Sequence, residues 1–92
     1  MGWIMLITNL ESNRGNKIAN QFEVVDDQGN IYFQSYNSII VKKSVDGEIY
    51  LDSHYWNYST TTGKYRNIFL GETMKETEAK IKSGEYKLVN LN

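Results

Sequence analysis

The chain has 92 residues, of which 40% are hydrophobic and 23% charged, with a formal net charge of −1. Such a balance describes one globular domain, 1–92, and excludes both the basic excess of a general nucleic-acid binder and the acidic excess of a DNA mimic. Without cysteine there is neither a disulfide nor a thiolate nucleophile, and the cytoplasm is the expected compartment.

Trp3 to Asn9 reads as a first strand, short and apolar with β-branched Ile4, Ile7 and Thr8. The run is too short to span a bilayer and lacks the basic leader and cleavage region of a signal peptide. Leu6 stands where N-myristoylation after Met1-Gly2 requires Ser or Thr. Met5 is a second candidate start, which makes residues 1–4 an N-terminal extension. Glu11 to Lys17 is a loop, and Ile18 to Asp26 a second strand alternating through Phe22 and Val24. The turn Asp27-Gln28-Gly29-Asn30 makes Ile31 to Tyr36 its hairpin partner, with Ile31, Phe33 and Ser35 on one face and Tyr32, Gln34 and Tyr36 on the other. Ser38 to Lys43 continues extended after a bulge or bend near Asn37, and Val45-Asp46-Gly47-Glu48 closes a hairpin onto Glu48 to Leu51. Connections this short produce antiparallel pairing.

The periodicity then changes from strand to helix. Ser59 or Thr60 is placed to cap a helix that Gly71 ends, with Thr61, Tyr65, Ile68 and Phe69 as its apolar face. At about 100° per residue, Lys64 and Arg66 border that face on opposite sides. Thr73 and Glu76 form a capping box for a second helix, which runs to about Ser83 and stops at Gly84. Its inner face is Met74, Thr77 and Ile81, and Glu76 pairs with Lys80 at i,i+4. Tyr86 to Leu91 alternates as a last strand at a sheet edge. The expected fold is α+β: an antiparallel meander of four to five strands packed against two helices, with a short C-terminal strand. So small a core makes a homodimer an expectation.

Catalytic signatures are missing. His54 is the sole histidine, and neither Ser53 nor Ser59 stands in a nucleophile elbow. Asp26, Asp27, Asp46, Glu48 and Asp52 lack the spacing of an EF-hand. Thr62-Gly63-Lys64 is no phosphate-binding loop, because the first glycine is missing and Tyr65 replaces the magnesium-binding hydroxyl. The expectation is therefore a non-enzyme with no metal and no cofactor.

What remains is a binding constellation. The free amides and dipole of a helix start attract anions, so Ser59, Thr61 and Thr62 would hold a phosphate with charge from Lys64 and Arg66. Tyr36 or Tyr58 would stack on a base, in a chain whose aromatic content is 13%. The plainer reading of the same residues is a capped amphipathic helix with solvated basic side chains.

Two stretches carry a resemblance. Phe33-Gln34-Ser35-Tyr36-Asn37 and Tyr58-Ser59-Thr60-Thr61-Thr62-Gly63-Lys64-Tyr65 through Phe69-Leu70 resemble a family of small phage and prophage proteins of unknown function. There, an F-x-S-Y-N strand precedes a Y-S-x-T-T-x-K-[YH]-x-x-x-F-L helix, and the likeness covers roughly residues 18–92. It implies a phage accessory protein in the cytoplasm of an infected bacterium that antagonises host defence by binding. Its partner would be a defence protein, slightly preferred, or a nucleotide-derived signal. The alternative is a small nucleic-acid-binding regulator using an aromatic sheet face. No membrane partner is expected.

Overall fold

Tight turns return the chain on itself through β1 (Leu6–Glu11), β2 (Lys17–Val25), β3 (Ile31–Ser35), β4 (Ser38–Lys43) and β5 (Ile49–Asp52), all paired antiparallel in chain order. The computed structural model describes residues 6–12 and 14–92, so the expected strand residues Trp3 to Met5 lie outside it. In the β3–β4 pair, Phe33 faces Val41 and Gln34 faces Ile39, which leaves Ile40 as the extra residue of a bulge. The bulge explains the broken alternation and allows Ile40 and Val41, adjacent in sequence, both to be fully buried. Tyr36 is not part of the strand. It occupies the turn after β3 with φ 56, a left-handed conformation uncommon for an aromatic residue, and so does not share a sheet face with Tyr32.

Among the described residues the sheet has six strands, the meander of five and, at its edge, the C-terminal strand. β6 (Tyr86–Val89) pairs parallel with β5, matching Ile49 to Tyr86 and Leu51 to Leu88. A parallel neighbour requires a crossover, and the crossover consists of α1 (Thr60–Leu70) followed by α2 (Met74–Ser83). Both helix starts are capped as their residues dictate. The Ser59 hydroxyl accepts from the Thr62 amide, and Thr73 and Glu76 form the capping box. Gly71 ends α1 in the left-handed region that side chains rarely adopt.

The buried face of α1 differs from the expected one. Thr62 and Arg66 are fully buried, Tyr65, Phe69 and Leu70 are half-buried against the core, and Thr61 and Ile68 face solvent. Tertiary partners decide this rotation. Phe69 stacks on Phe33 with ring centroids 5.7 Å apart, and the Thr62 hydroxyl lies 3.0 Å from that of Ser35 on β3. The core itself is Phe33, Ile40, Val41, Leu51 and Tyr86. From β4, Lys43 donates to the Phe69 carbonyl at 2.8 Å, placing a cation at the negative end of α1.

Glu72, in the elbow between the helices, fastens the crossover to the sheet. Its carboxylate accepts from Lys80 at 2.8 Å, Thr77 at 2.5 Å and the Tyr86 hydroxyl at 2.7 Å. Lys80 therefore pairs with Glu72 and not with Glu76, whose carboxylate is occupied by the Thr73 amide at 2.9 Å. Burial works against the charged Glu72, but its three donors outweigh that and hold its pKa below the usual range. Burial and the same carboxylate push Tyr86 up to about 12.

Glu72→Ala strands the Tyr86 hydroxyl and removes the partner of Lys80, so urea unfolding is expected to show a loss of about 3 kcal/mol. A second prediction concerns acid. Asp26 accepts from the Asn30 side chain, the Asn30 and Gln28 amides and the Tyr32 hydroxyl, which together hold its pKa at about 2 against an ordinary 3.8. A carboxylate depressed on folding stabilises above its unfolded pKa, and that contribution disappears as pH falls from 3.8 towards 2. Thermal melts across that window should show a shallower decline for Asp26→Ala than for the parent protein.

Candidate functional site

The loop from Ser53 to Ser59 delivers the chain from β5 to α1, and its shape is set by one carboxylate. Asp52, 1% exposed, accepts from the amides of Tyr55 at 2.8 Å and His54 at 3.1 Å, and from Leu91 beyond β6 at 2.7 Å. Burial would raise its pKa, but these amide donors outweigh burial and keep the group low. The loop then passes Trp56 under α1, with its carbonyl turned to Arg66 at 2.6 Å.

Between this loop and the two helices lies an open depression of about 650 Å³. It is lined by Asn57, Tyr58 and Ser59 of the loop, by Thr60, Gly63, Lys64, Arg66 and Asn67 of α1, and by Met74 of α2. Among the described residues no acidic side chain lines it. The first turn of α1 also contains no acid, so its positive dipole end is not offset locally. The first helical bond is made by the Gly63 amide to the Ser59 carbonyl, which leaves the Thr60 and Thr61 amides ahead of the ladder.

Arg66 is the unusual member. It is 0% exposed and stacks over the Trp56 ring with its Cζ 5.2 Å from the centroid. Its guanidinium donates through Nη1 to the Trp56 carbonyl and to Asn57 Oδ1 at 3.3 Å, and through Nη2 to Asn67 Oδ1 at 3.0 Å and Met74 Sδ at 3.1 Å. Every one of those acceptors is neutral, and Nε has no partner. Among the described residues Arg66 forms no ion pair. Burial lowers its pKa, and the more distant Glu72 and Glu78 counter that through space. A buried cation without an anion beside it is costly.

Gly63 places no side chain beside this group. A β-carbon at position 63 would sit 3.7 Å from Nη2, 3.8 Å from Nη1 and 3.8 Å from Asn57 Oδ1. The backbone there is ordinary right-handed helix, so glycine is not required by conformation and costs roughly 1 kcal/mol relative to alanine.

The candidates named from the sequence divide into two groups. Tyr58, Ser59, Lys64 and Arg66 line the depression. Tyr58 is 46% exposed and packs edge-on against Tyr55, while Lys64 is exposed with Nζ 5.3 Å from the Tyr65 ring. Tyr36, Thr61 and Thr62 do not line it. Tyr36 sits in the β3–β4 turn, Thr61 faces solvent, and Thr62 is buried in a chain of hydroxyls from Ser59 to Ser35. Asn57, Asn67, Met74 and Gly63 were not foreseen. Only Gly63 carried a signal, as a glycine inside an otherwise helical run.

The chain belongs to a family of unknown function, DUF8033, whose family model matches residues 5–86. Comparisons with curated proteins and with solved structures gave no match. Among the described residues no helix is long and apolar enough to cross a membrane.

Because a methyl group fits at position 63 without a clash, Gly63→Ala is expected to stabilise the fold by about 1 kcal/mol, raising the thermal midpoint by roughly 5 °C. An unchanged or lowered midpoint would show that glycine is needed there for the fold itself.

Proposed function

For a member of a family without an assigned activity, we propose a binding role: the protein is a non-enzymatic accessory module that takes a phosphate-bearing nucleotide at the start of α1. The observation that carries the proposal is the Arg66 guanidinium, buried beside the depression with no carboxylate partner among the described residues and an unpaired Nε. Free amides, an uncompensated helix dipole and Lys64 add to the attraction for an anion. The volume exceeds what a bare phosphate needs, and exposed Tyr58 with Asn57 offers a flat ring and an amide for a base. The resemblance to small phage proteins extends the proposal to biology: such a module would sequester a nucleotide signal of host defence in the infected cell. Direct inhibition of a defence protein is the other branch of that reading, and no feature of the depression calls for it.

A second reading has its own observation. On the sheet face away from the helices, Lys42 lies between Tyr32 and Tyr50 on adjacent strands, its Nζ 5.9 Å from each ring centroid. An aromatic ladder around a cation suits a single nucleic-acid strand. Against it, the Tyr32 hydroxyl is engaged by Asp26, and Lys87 on the same row is neutralised by Glu48 at 2.7 Å.

The test is calorimetry with a panel of mononucleotides on Gly63→Leu and Lys64→Ala. Leucine is a good helix former and would cover the guanidinium, so binding should fall by at least about ten-fold while the melt is kept. Lys64→Ala should weaken binding about three-fold without altering the melt. Nucleotide binding equal to the parent in Gly63→Leu overturns the site. A gel shift with single-stranded oligonucleotides that is lost on Lys42→Ala and weakens steeply with salt would instead favour the sheet face.

A further inference from the structure

Arginine has five N–H groups, and in Arg66 they are unequally served. Nη1 faces two oxygens, the Trp56 carbonyl and Asn57 Oδ1. Nη2 faces one oxygen, Asn67 Oδ1, and one sulfur, Met74 Sδ at 3.1 Å. Nε faces nothing. Nε and Nη2 form one edge of the guanidinium plane, the edge that grips two oxygens of a phosphate or carboxylate together. Of the two nitrogens on that edge, Nε has no partner and Nη2 has one oxygen and a thioether, a weak acceptor.

Met74 is also the first residue of α2, just beyond the elbow, and it lines the depression together with Gly63. Resting on the anion-site reading above, we propose that Met74 is a displaceable plug: its sulfur holds Nη2, and the terminal phosphate of a nucleoside monophosphate displaces it and takes the Nε–Nη2 edge. A monoester is favoured over a diester by counting donors. Two terminal oxygens would occupy the arginine edge, and a third would remain for the first-turn amides of α1 and for Lys64. Near neutral pH a monoester offers three such oxygens and close to two charges. A diester offers two oxygens and one charge.

The plug makes predictions that a merely packed methionine would not. Met74→Leu keeps the volume but removes the competing acceptor, so adenosine 5′-monophosphate should bind about three-fold more tightly. Met74→Gln supplies an oxygen acceptor in place of sulfur and should weaken binding about ten-fold. In ¹³C-methyl methionine spectra, the Met74 signal, assigned from its loss in Met74→Leu, should move on titration. Three probes separate the ligand classes: inorganic phosphate, adenosine 5′-monophosphate and adenosine 3′,5′-cyclic monophosphate. The monoester should exceed the cyclic diester by about ten-fold. Inorganic phosphate equal to the nucleotide would assign recognition to the phosphate alone, and a tighter nucleotide would add the nucleoside, both in keeping with the plug. Equal binding of monoester and diester overturns the ligand class. A fixed Met74 signal, with both variants binding like the parent, overturns the plug while leaving the anion site standing. Absence of binding by all three probes, to the parent and to Met74→Leu alike, overturns the anion site and the plug together.

Discussion

The parallel pairing of β6 with β5 is the constraint on which the architecture depends. A meander can end anywhere, but a parallel strand obliges the chain to cross back over the sheet before it pairs. α1 and α2 are that passage, and its two ends meet at Asp52, which binds amides both before α1 and after β6. The start of α1 consequently comes to the carboxyl end of β5. In parallel α/β units this is the end of the sheet where helix starts converge and ligands are held. Here a single parallel step in an otherwise antiparallel sheet provides the same polarity on a small scale.

Arg66 shows what that placement costs the fold. Its guanidinium is shielded from water by Trp56, Met74 and the walls of its own loop, and all its acceptors are uncharged. Elsewhere the protein treats buried charge differently. Glu72 is given a lysine and two hydroxyls, and Asp52 three amides. Against that background a cation satisfied only by neutral groups, beside a glycine that the helix does not need, breaks a local rule, and the proposed anion site rests on that departure.

Much of the secondary structure was legible because its determinants are local. The capping box at Thr73 and Glu76, the stop at Gly71 and the turn at Asp46-Gly47 are each decided within a few residues. The errors fall where the deciding partner is distant in sequence. Arg66 was placed at the border of the apolar face, since nothing near it announces that Trp56 and its carbonyl will enclose it. Lys80 was given to Glu76 by spacing, whereas Glu72 lies closer once the elbow folds. The parallel direction of β6 has no local signature at all. Of the site, the hydroxyl-capped helix start and its two basic residues could be read. The amides of Asn57 and Asn67 and the sulfur of Met74 could not, because only the crossover brings them together.

The long closure that joins β5 to β6 also bears on the order of assembly. Hairpins between neighbouring strands close short loops and form readily, whereas the β5–β6 pair closes a loop containing both helices and is slower to gain. Arg66 and its acceptors, Trp56, Asn57, Asn67 and Met74, all belong to the crossover itself, contributed by the loop, α1 and α2. The crossover is held to the sheet by the Phe69–Phe33 stack and the Glu72–Tyr86 bond, which ties the shape of the depression to the folding of the domain as a whole.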